Sequence, residues 1–431
     1  SSPSEFLAGC LERYDQREPE IGAFCALTRD DAIAAAKDAD VRWAEGRALS
    51  PVDGMPIGVK DIIETRDMPT GQGSPFWEGT QTHRDAASVQ ALRSAGAVIL
   101  GKTTTTEYAA LTAFHQTRNP HDPNRTPGGS SSGSAAAVGA GIIPAALGTQ
   151  VVGSILRPAS YCGCVGFKPS VGALNRSGSF DHLSQSCTGV LAASPQDAWI
   201  VASAIAGRVG GDPGFRGLDG PAHPPATRKP ERLALLQTGG WEMVSSGAKA
   251  ALTDVADRLR ASGIDVSDRG VDGEIDSFEQ ACADAFTLTM TIFDWEYRWP
   301  WSAYTEGQTG QLSPAMQERQ RNAAEMTLGD YRSALARRSD VRMRFAELMT
   351  RFDACILLSA TGAAPMGFAS TGDPGVTVLG SLLGGPAISV PLLSDDRLPL
   401  GLQLIGRMDE DEALTSVALW AWAALGPSAE C

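Results

Sequence analysis

The chain has 431 residues, 43% of them hydrophobic, enough to bury a large core, and 36 Lys and Arg against 50 Asp and Glu give a formal charge of −14. That acidic balance argues against direct contact with nucleic acid or an anionic membrane surface. Eight cysteines are too sparse for a disulfide framework, which points to reducing cytoplasm, and the apolar stretches break before the roughly 18 residues a spanning helix needs.

Residues 1–50 read as helical, with helical spacing over Asp30–Trp43 and a stop near Gly46. Ile57 and Val59 precede Lys60 in what reads as a short buried strand. Asp85–Ala95 reads as a helix closed by Gly96, and Ala97–Leu100 as a buried strand. This strand–helix–strand order predicts an α/β fold with a mainly parallel sheet. The stretch from Thr126 to Ala137 is a glycine-serine loop running into an Ala-rich helix, which can present N–H groups and hydroxyls to a ligand. It lacks the Gly-Lys-Ser/Thr ending of a phosphate loop, and taken alone it is equally a structural turn.

Cys162 and Cys164 form the one close cysteine pair. Without a Cys-x-x-Cys or further ligands they read as buried thiols, and no metal is expected. Residues 208–230, rich in Gly and Pro, read as a surface connection. Beyond it, helical patterns continue to about 350, with a strand candidate at Leu233–Leu236 and a helix over Gly247–Ser262. Trp295, Trp299 and Trp301 in this region are either ordinary core or the wall of a substrate pocket. Ala354–Leu358 is a further strand candidate.

Three segments carry the parts of an acyl-transfer site: Lys60, Ser130 and Ser154. A serine hydroxyl needs a base to become a nucleophile. The five histidines, His83, His115, His121, His182 and His223, lie in no recognisable catalytic motif, so a Ser-His-Asp triad is unsupported. A lysine whose ammonium is destabilised by burial is the other candidate base, and Lys60 fits it. Asp61, next along the strand, would point to the opposite face.

Together these segments resemble the amidase signature family of Ser–cis-Ser–Lys amidohydrolases. The resemblance runs from Gly54-Met-Pro-Ile-Gly-Val-Lys-Asp61 through the glycine-serine loop to Tyr161-Cys-Gly-Cys-Val-Gly-Phe-Lys-Pro-Ser170. It returns in Gly385-Pro-Ala-Ile-Ser-Val-Pro391 and Leu400-Gly-Leu-Gln-Leu-Ile-Gly-Arg407. It implies one domain over 1–431 with a large mixed, mainly parallel sheet covered by helices on both faces, and a variable, mainly helical pocket-forming insertion over 208–350. It also implies a cofactor-independent amidase in which Ser154 is the nucleophile, Ser130 the bridging serine after a cis Gly129–Ser130 peptide, and Lys60 the base. The N–H groups of Val151, Val152, Gly153 and Ser154 would form the oxyanion hole. Gly129 and Ser131 would contact a small-molecule amide substrate, and a homodimer is the assembly kept open.

The chain departs from the family pattern at three places. Gln150-Val-Val-Gly-Ser154 replaces the usual Asp-Thr-Gly-Gly-Ser, and Ser132 replaces a glycine. Val152 would resist any positive φ at its position. Arg157 stands three residues after the nucleophile rather than two, as in malonamidase-like members, where the arginine binds the substrate carboxylate. A structural pairing is the other role open to it. Two further functions stay open: the glutaminase component of a tRNA-dependent amidotransferase, and a non-catalytic binding protein with the same fold.

Overall fold

Apolar residues alternate along the strands and sort onto two faces of one sheet. The computed structural model describes residues 2–110, 116–306 and 309–426, so His115 lies outside the described residues. The strands are β1 (Phe24–Leu27), β2 (Pro56–Lys60), β3 (Val98–Thr103), β4 (Ala145–Gln150), β5 (Val165–Lys168), β6 (Cys187–Ala192), β7 (Arg232–Leu235), β8 (Asp265–Ser267), β9 (Ala354–Leu358), β10 (Ala387–Asp395) and β11 (Leu398–Ile405). They form an 11-stranded sheet in the order β1-β3-β2-β4-β6-β5-β10-β11-β9-β7-β8.

Ile57 and Val59 of β2, Ile99 of β3, Leu147 of β4 and Val190 of β6 face one core. That core is completed by the helices Ala87–Ser94, Pro195–Val209 and Asp411–Leu425. Val98 and Leu100, Ala146 and Leu191 face the other way, onto the helices Pro3–Ile21, Arg29–Ala44, Ser132–Gly139 and Leu156–Cys162. Each large aliphatic side chain so buried contributes about 1.5–3 kcal/mol relative to exposure. The α/β class, the mixed sheet and the helices on both faces are as expected.

The direction of the strands is not. Among the described residues, only the pairs β2–β3, β2–β4, β7–β8 and β7–β9 are parallel, and the other six are antiparallel, which corrects the mainly parallel expectation. The strand–helix–strand signal comes from the β2–β3 unit, and the middle of the sheet is built differently. Residues 1–50 are not wholly helical either. After Gly22 caps the first helix in the left-handed region (φ 61°), Phe24–Leu27 pairs with β3 as an edge strand. Among the described residues the segment 208–350 supplies β7 and β8 as well as five α-helices.

Gly96-Ala-Val-Ile-Leu-Gly-Lys-Thr103 has the Gly-x₄-Gly-Lys-Thr spacing of a phosphate loop. It runs into β3 instead, and Lys102 pairs with Asp61 at 3.1 Å. Among the described residues no helix is long and apolar enough to cross a membrane.

Candidate active site

Lys60 is the last residue of β2. Since Ile57 and Val59 face one core, its side chain leaves on the other face, towards the helix Ser132–Gly139. It is fully buried, with Nζ 2.7 Å from Ser130 Oγ and 2.8 Å from Thr149 Oγ1. Burial pulls its pKa from 10.5 down to about 7, against the opposing charge of Asp181. Asp61 lies on the opposite face, paired with Lys102, as the alternation requires.

Ser130 stands just ahead of the helix Ser132–Gly139, and the Gly129–Ser130 peptide is cis. Ser132, the departure from the family's glycine, donates to Gly128 O at 2.8 Å and ties the loop to its own start. Gly133 lets the helix approach the chain just ahead of β1, since a Cβ there would sit 2.2 Å from Ala23 O. Gly129-Ser-Ser-Ser-Gly133 also has the spacing of a nucleophile elbow centred on Ser131. The Ser131 side chain is buried against the backbone of Thr149, where its hydroxyl both accepts from the N–H and faces the carbonyl at 3.3 Å.

Ser154 lies in the turn between β4 and the helix Leu156–Cys162. Gln150 Oε1 accepts from the N–H groups of Ile155 at 2.8 Å and Leu156 at 3.0 Å, capping that helix. Its Nε2 donates to Ser381 Oγ at 3.0 Å, and Ser381 in turn donates to Val152 O at 3.1 Å. Among the described residues the N–H groups of Val151, Val152, Gly153 and Ser154 have no protein acceptor; pairing resumes at Ile155. Val152 sits at an ordinary negative φ, so the loop asks nothing of it that a β-branched residue resists. Gly153 is required by space: a Cβ would lie 2.1 Å from Thr377 Oγ1.

Ser130, Ser154, Val151, Val152 and Arg157 line one cavity of about 330 Å³, at the carboxyl ends of the parallel strands β2 and β4. Lys60 touches Ser130 behind this wall. Among the described residues no hydrogen bond joins the Ser130 and Ser154 hydroxyls, a link that commonly tightens only around substrate. Gly129 and Ser131 do not line the cavity. Gly129 instead gives its carbonyl to Arg157 Nη2 at 2.9 Å.

Arg157 is 6% exposed. Its Nε donates to Thr371 O at 2.8 Å, Nη2 to Gly129 O and Thr371 Oγ1, and Nη1 has no partner. Burial pushes its pKa down. The tryptophans divide. Trp301 is core against Phe293 and Tyr297, Trp299 is exposed, and Trp295 stacks on Tyr331. The same helix, Ala285–Thr305, does form cavity wall, but through Phe286, Met290 and Phe293.

Sequence reasoning missed Thr149, Gln150, Asp181, Thr377 and Ser381 as parts of this site. Gln150 was visible as a departure from the family pattern. The others carry no local signal, because Thr149 and Asp181 act on Lys60, and Thr377 and Ser381 on the 150–153 turn, across long stretches of chain. Cys162 and Cys164 are buried thiols facing backbone carbonyls.

The Amidase family model matches residues 5–415 of this chain. The chain is 33% identical to a glutamyl-tRNA(Gln) amidotransferase subunit from Chloroflexus aurantiacus, over 96% of this chain and 91% of that protein. It is 32% identical to the protein of the same name from Anaeromyxobacter dehalogenans, over 99% and 94%. Among solved structures it superposes on an amidase with a TM-score of 0.86 and 26% identity, covering 99% of this chain and 97% of that one. The peptide amidase of Stenotrophomonas maltophilia gives a TM-score of 0.76 and 27% identity over 98% and 94%. The expectation drawn from charge, that the chain makes no direct contact with nucleic acid, is not borne out by these relatives, whose name includes a tRNA. The chain belongs to the amidase signature family of amide C–N hydrolases.

Proposed function

We propose that the chain hydrolyses a small-molecule amide through an acyl-enzyme on Ser154. The observation that carries this is Lys60, fully buried with a pKa near 7, hydrogen-bonded to Ser130 on the wall that Ser154 shares. As a neutral amine, Lys60 Nζ takes the Ser130 proton while Ser130 Oγ takes the proton of Ser154. The freed Ser154 Oγ attacks the amide carbonyl, and the unpaired N–H groups from Val151 to Ser154 receive the oxyanion. The proton returns through Ser130 to the leaving nitrogen, the C–N bond breaks, and ammonia or an amine departs. Water, deprotonated along the same relay, then cleaves the ester and releases the acid.

A carboxylate on the substrate is part of this reading. Arg157 keeps Nη1 unpaired and buried at the cavity, beside Gly153. A guanidinium so placed favours an anionic group close to the scissile bond, as in a malonamate-type amide. Self-association as a homodimer belongs to the same reading and is measured by light scattering.

A second reading is an amidotransferase component that takes ammonia from glutamine, supported by the 33% identical relative. Against it, the described residues lining the cavity include no carboxylate to receive the glutamine ammonium. The non-catalytic reading gains nothing from Val152, whose backbone angle is ordinary.

Ammonia release from malonamate-type amides, neutral aliphatic amides, aryl amides and glutamine, with Ser154→Ala as the blank, tests these together. Release should concentrate on carboxylate amides and fall by roughly 10⁴-fold or more in the alanine variant. Full activity in that variant would remove Ser154 as nucleophile. Release from glutamine alone, with a co-purifying partner, would establish the amidotransferase reading.

A further inference from the structure

The cavity at Ser154 has a second guanidinium on its wall. Arg157 reaches it from the helix that follows Ser154, whereas Arg319 reaches it from the helix Pro314–Glu325, packed on Ala285–Thr305. The Arg319 side chain is 10% exposed. Its Nε donates to Asp294 Oδ1 at 2.5 Å, Nη2 lies 3.7 Å from Met290 Sδ, and its carbon sits 4.3 Å from the centre of the Phe293 ring. Nη1 donates to no protein group among the described residues.

A purely structural strut accounts for the Asp294 pair and the stacked ring, which together pin the two helices. It does not account for donors left over beside a cavity whose described lining has two arginines and no carboxylate. A guanidinium has five donors, and Asp294 takes one of them. The wall that carries the two cations also carries the apolar side chains of Phe286, Met290, Phe293 and Phe368. A cationic substrate is repelled by both arginines, and a neutral one uses neither.

We propose that Arg319 is a specificity-determining residue that receives an anionic group on the acyl part of the substrate, held away from the scissile carbonyl by an apolar segment lying on those four side chains. This rests on the amidase reading of the Ser154 cavity and extends its substrate class from malonamate-type amides to monoamides of medium-chain dicarboxylic acids. Arg157, close to the nucleophile, serves a carboxylate near the amide; Arg319 serves a distant one.

The test is calorimetric binding of suberate and octanoate, eight-carbon acids with two carboxylates and one. Wild-type protein is expected to prefer suberate by about tenfold or more, the scale of a charge-assisted contact in a desolvated site. Arg319→Gln should erase the preference. Ala315→Glu leaves Arg319 in place and sets a carboxylate four residues before it on the cavity wall. It should reduce the preference as well, and it decides the matter if the glutamine variant does not fold. No preference in the wild type overturns the proposal, as does an equal weakening of both acids that leaves their ratio intact. Turnover of suberamate separates the two levels. An Arg319-dependent preference with no amide cleaved sinks the hydrolase reading and keeps the site, while cleavage of short amides with no suberate preference does the reverse.

Discussion

In the proposed relay Lys60 can serve as a base only because it is badly solvated. Water stabilises an ammonium that the β2 terminus cannot, so the neutral amine is populated near pH 7. Asp181 works against this. Its carboxylate is the charge that holds the Lys60 pKa up, and it is itself buried, with Oδ1 accepting from Ser179 Oγ at 2.7 Å. The sign of the pH dependence follows. With the neutral amine as base, kcat/KM should rise with pH through about 7 and level off above it. Asp181→Asn keeps an oxygen for Ser179 but removes the charge, so the Lys60 pKa falls further and the rising limb moves to lower pH. A limb that stays put or moves to higher pH would mean that the titrating group is not Lys60. Ser130 and Thr149, which hold Nζ at 2.7 and 2.8 Å, are untouched by the change, so a merely structural role for Asp181 would lower the rate without moving the limb.

The turn from β4 into the helix Leu156–Cys162 is held by a side chain rather than by its own backbone. Gln150 takes two N–H groups of the helix start and passes its amide to Ser381, which fixes the Val152 carbonyl. Gln150→Leu leaves two buried donors without an acceptor, so a loss of about 2–5 kcal/mol in urea unfolding is expected. A change under about 0.5 kcal/mol would show that the turn holds itself, as surface substitutions do. This element also marks the limit of what the sequence discloses. That Lys60, Ser130 and Ser154 belong to one site was legible because each sits in a local glycine-rich pattern, and Ala354–Leu358 was legible because its run is apolar throughout. The four-residue β1 was not, since so short an edge strand between two helices has too few residues for its period to show. Periodicity tells which face is buried and not which strand lies alongside, so the antiparallel centre of the sheet stayed hidden. Ser381 and Thr377 meet the nucleophile loop across more than 200 residues of chain, and no local pattern announces that.

Those long-range contacts make the two halves of the molecule interdependent. All of Lys60, Ser130, Ser154 and Arg157 lie before the exposed connection around residue 226, yet part of what braces them lies after it. Arg157 is held by Thr371, Gly153 packs on Thr377, and Gln150 reaches Ser381. Strand β5 pairs antiparallel with β10, Phe167 opposite Ile388, and the buried Asp411 carboxylate accepts from both N–H and Oγ of Ser170, 241 residues away. A fragment covering 1–226 would end the sheet at an unpaired β5 and leave the apolar face of Leu156 uncovered. It should therefore carry the full triad and release no ammonia. Co-production with 227–431 should restore both activity and a single cooperative melting transition, because the cut falls where the chain is exposed and outside any helix or strand. Turnover by the 1–226 fragment alone would show that the nucleophile loop is preorganised without its braces, and that the second half shapes only the far wall of the cavity.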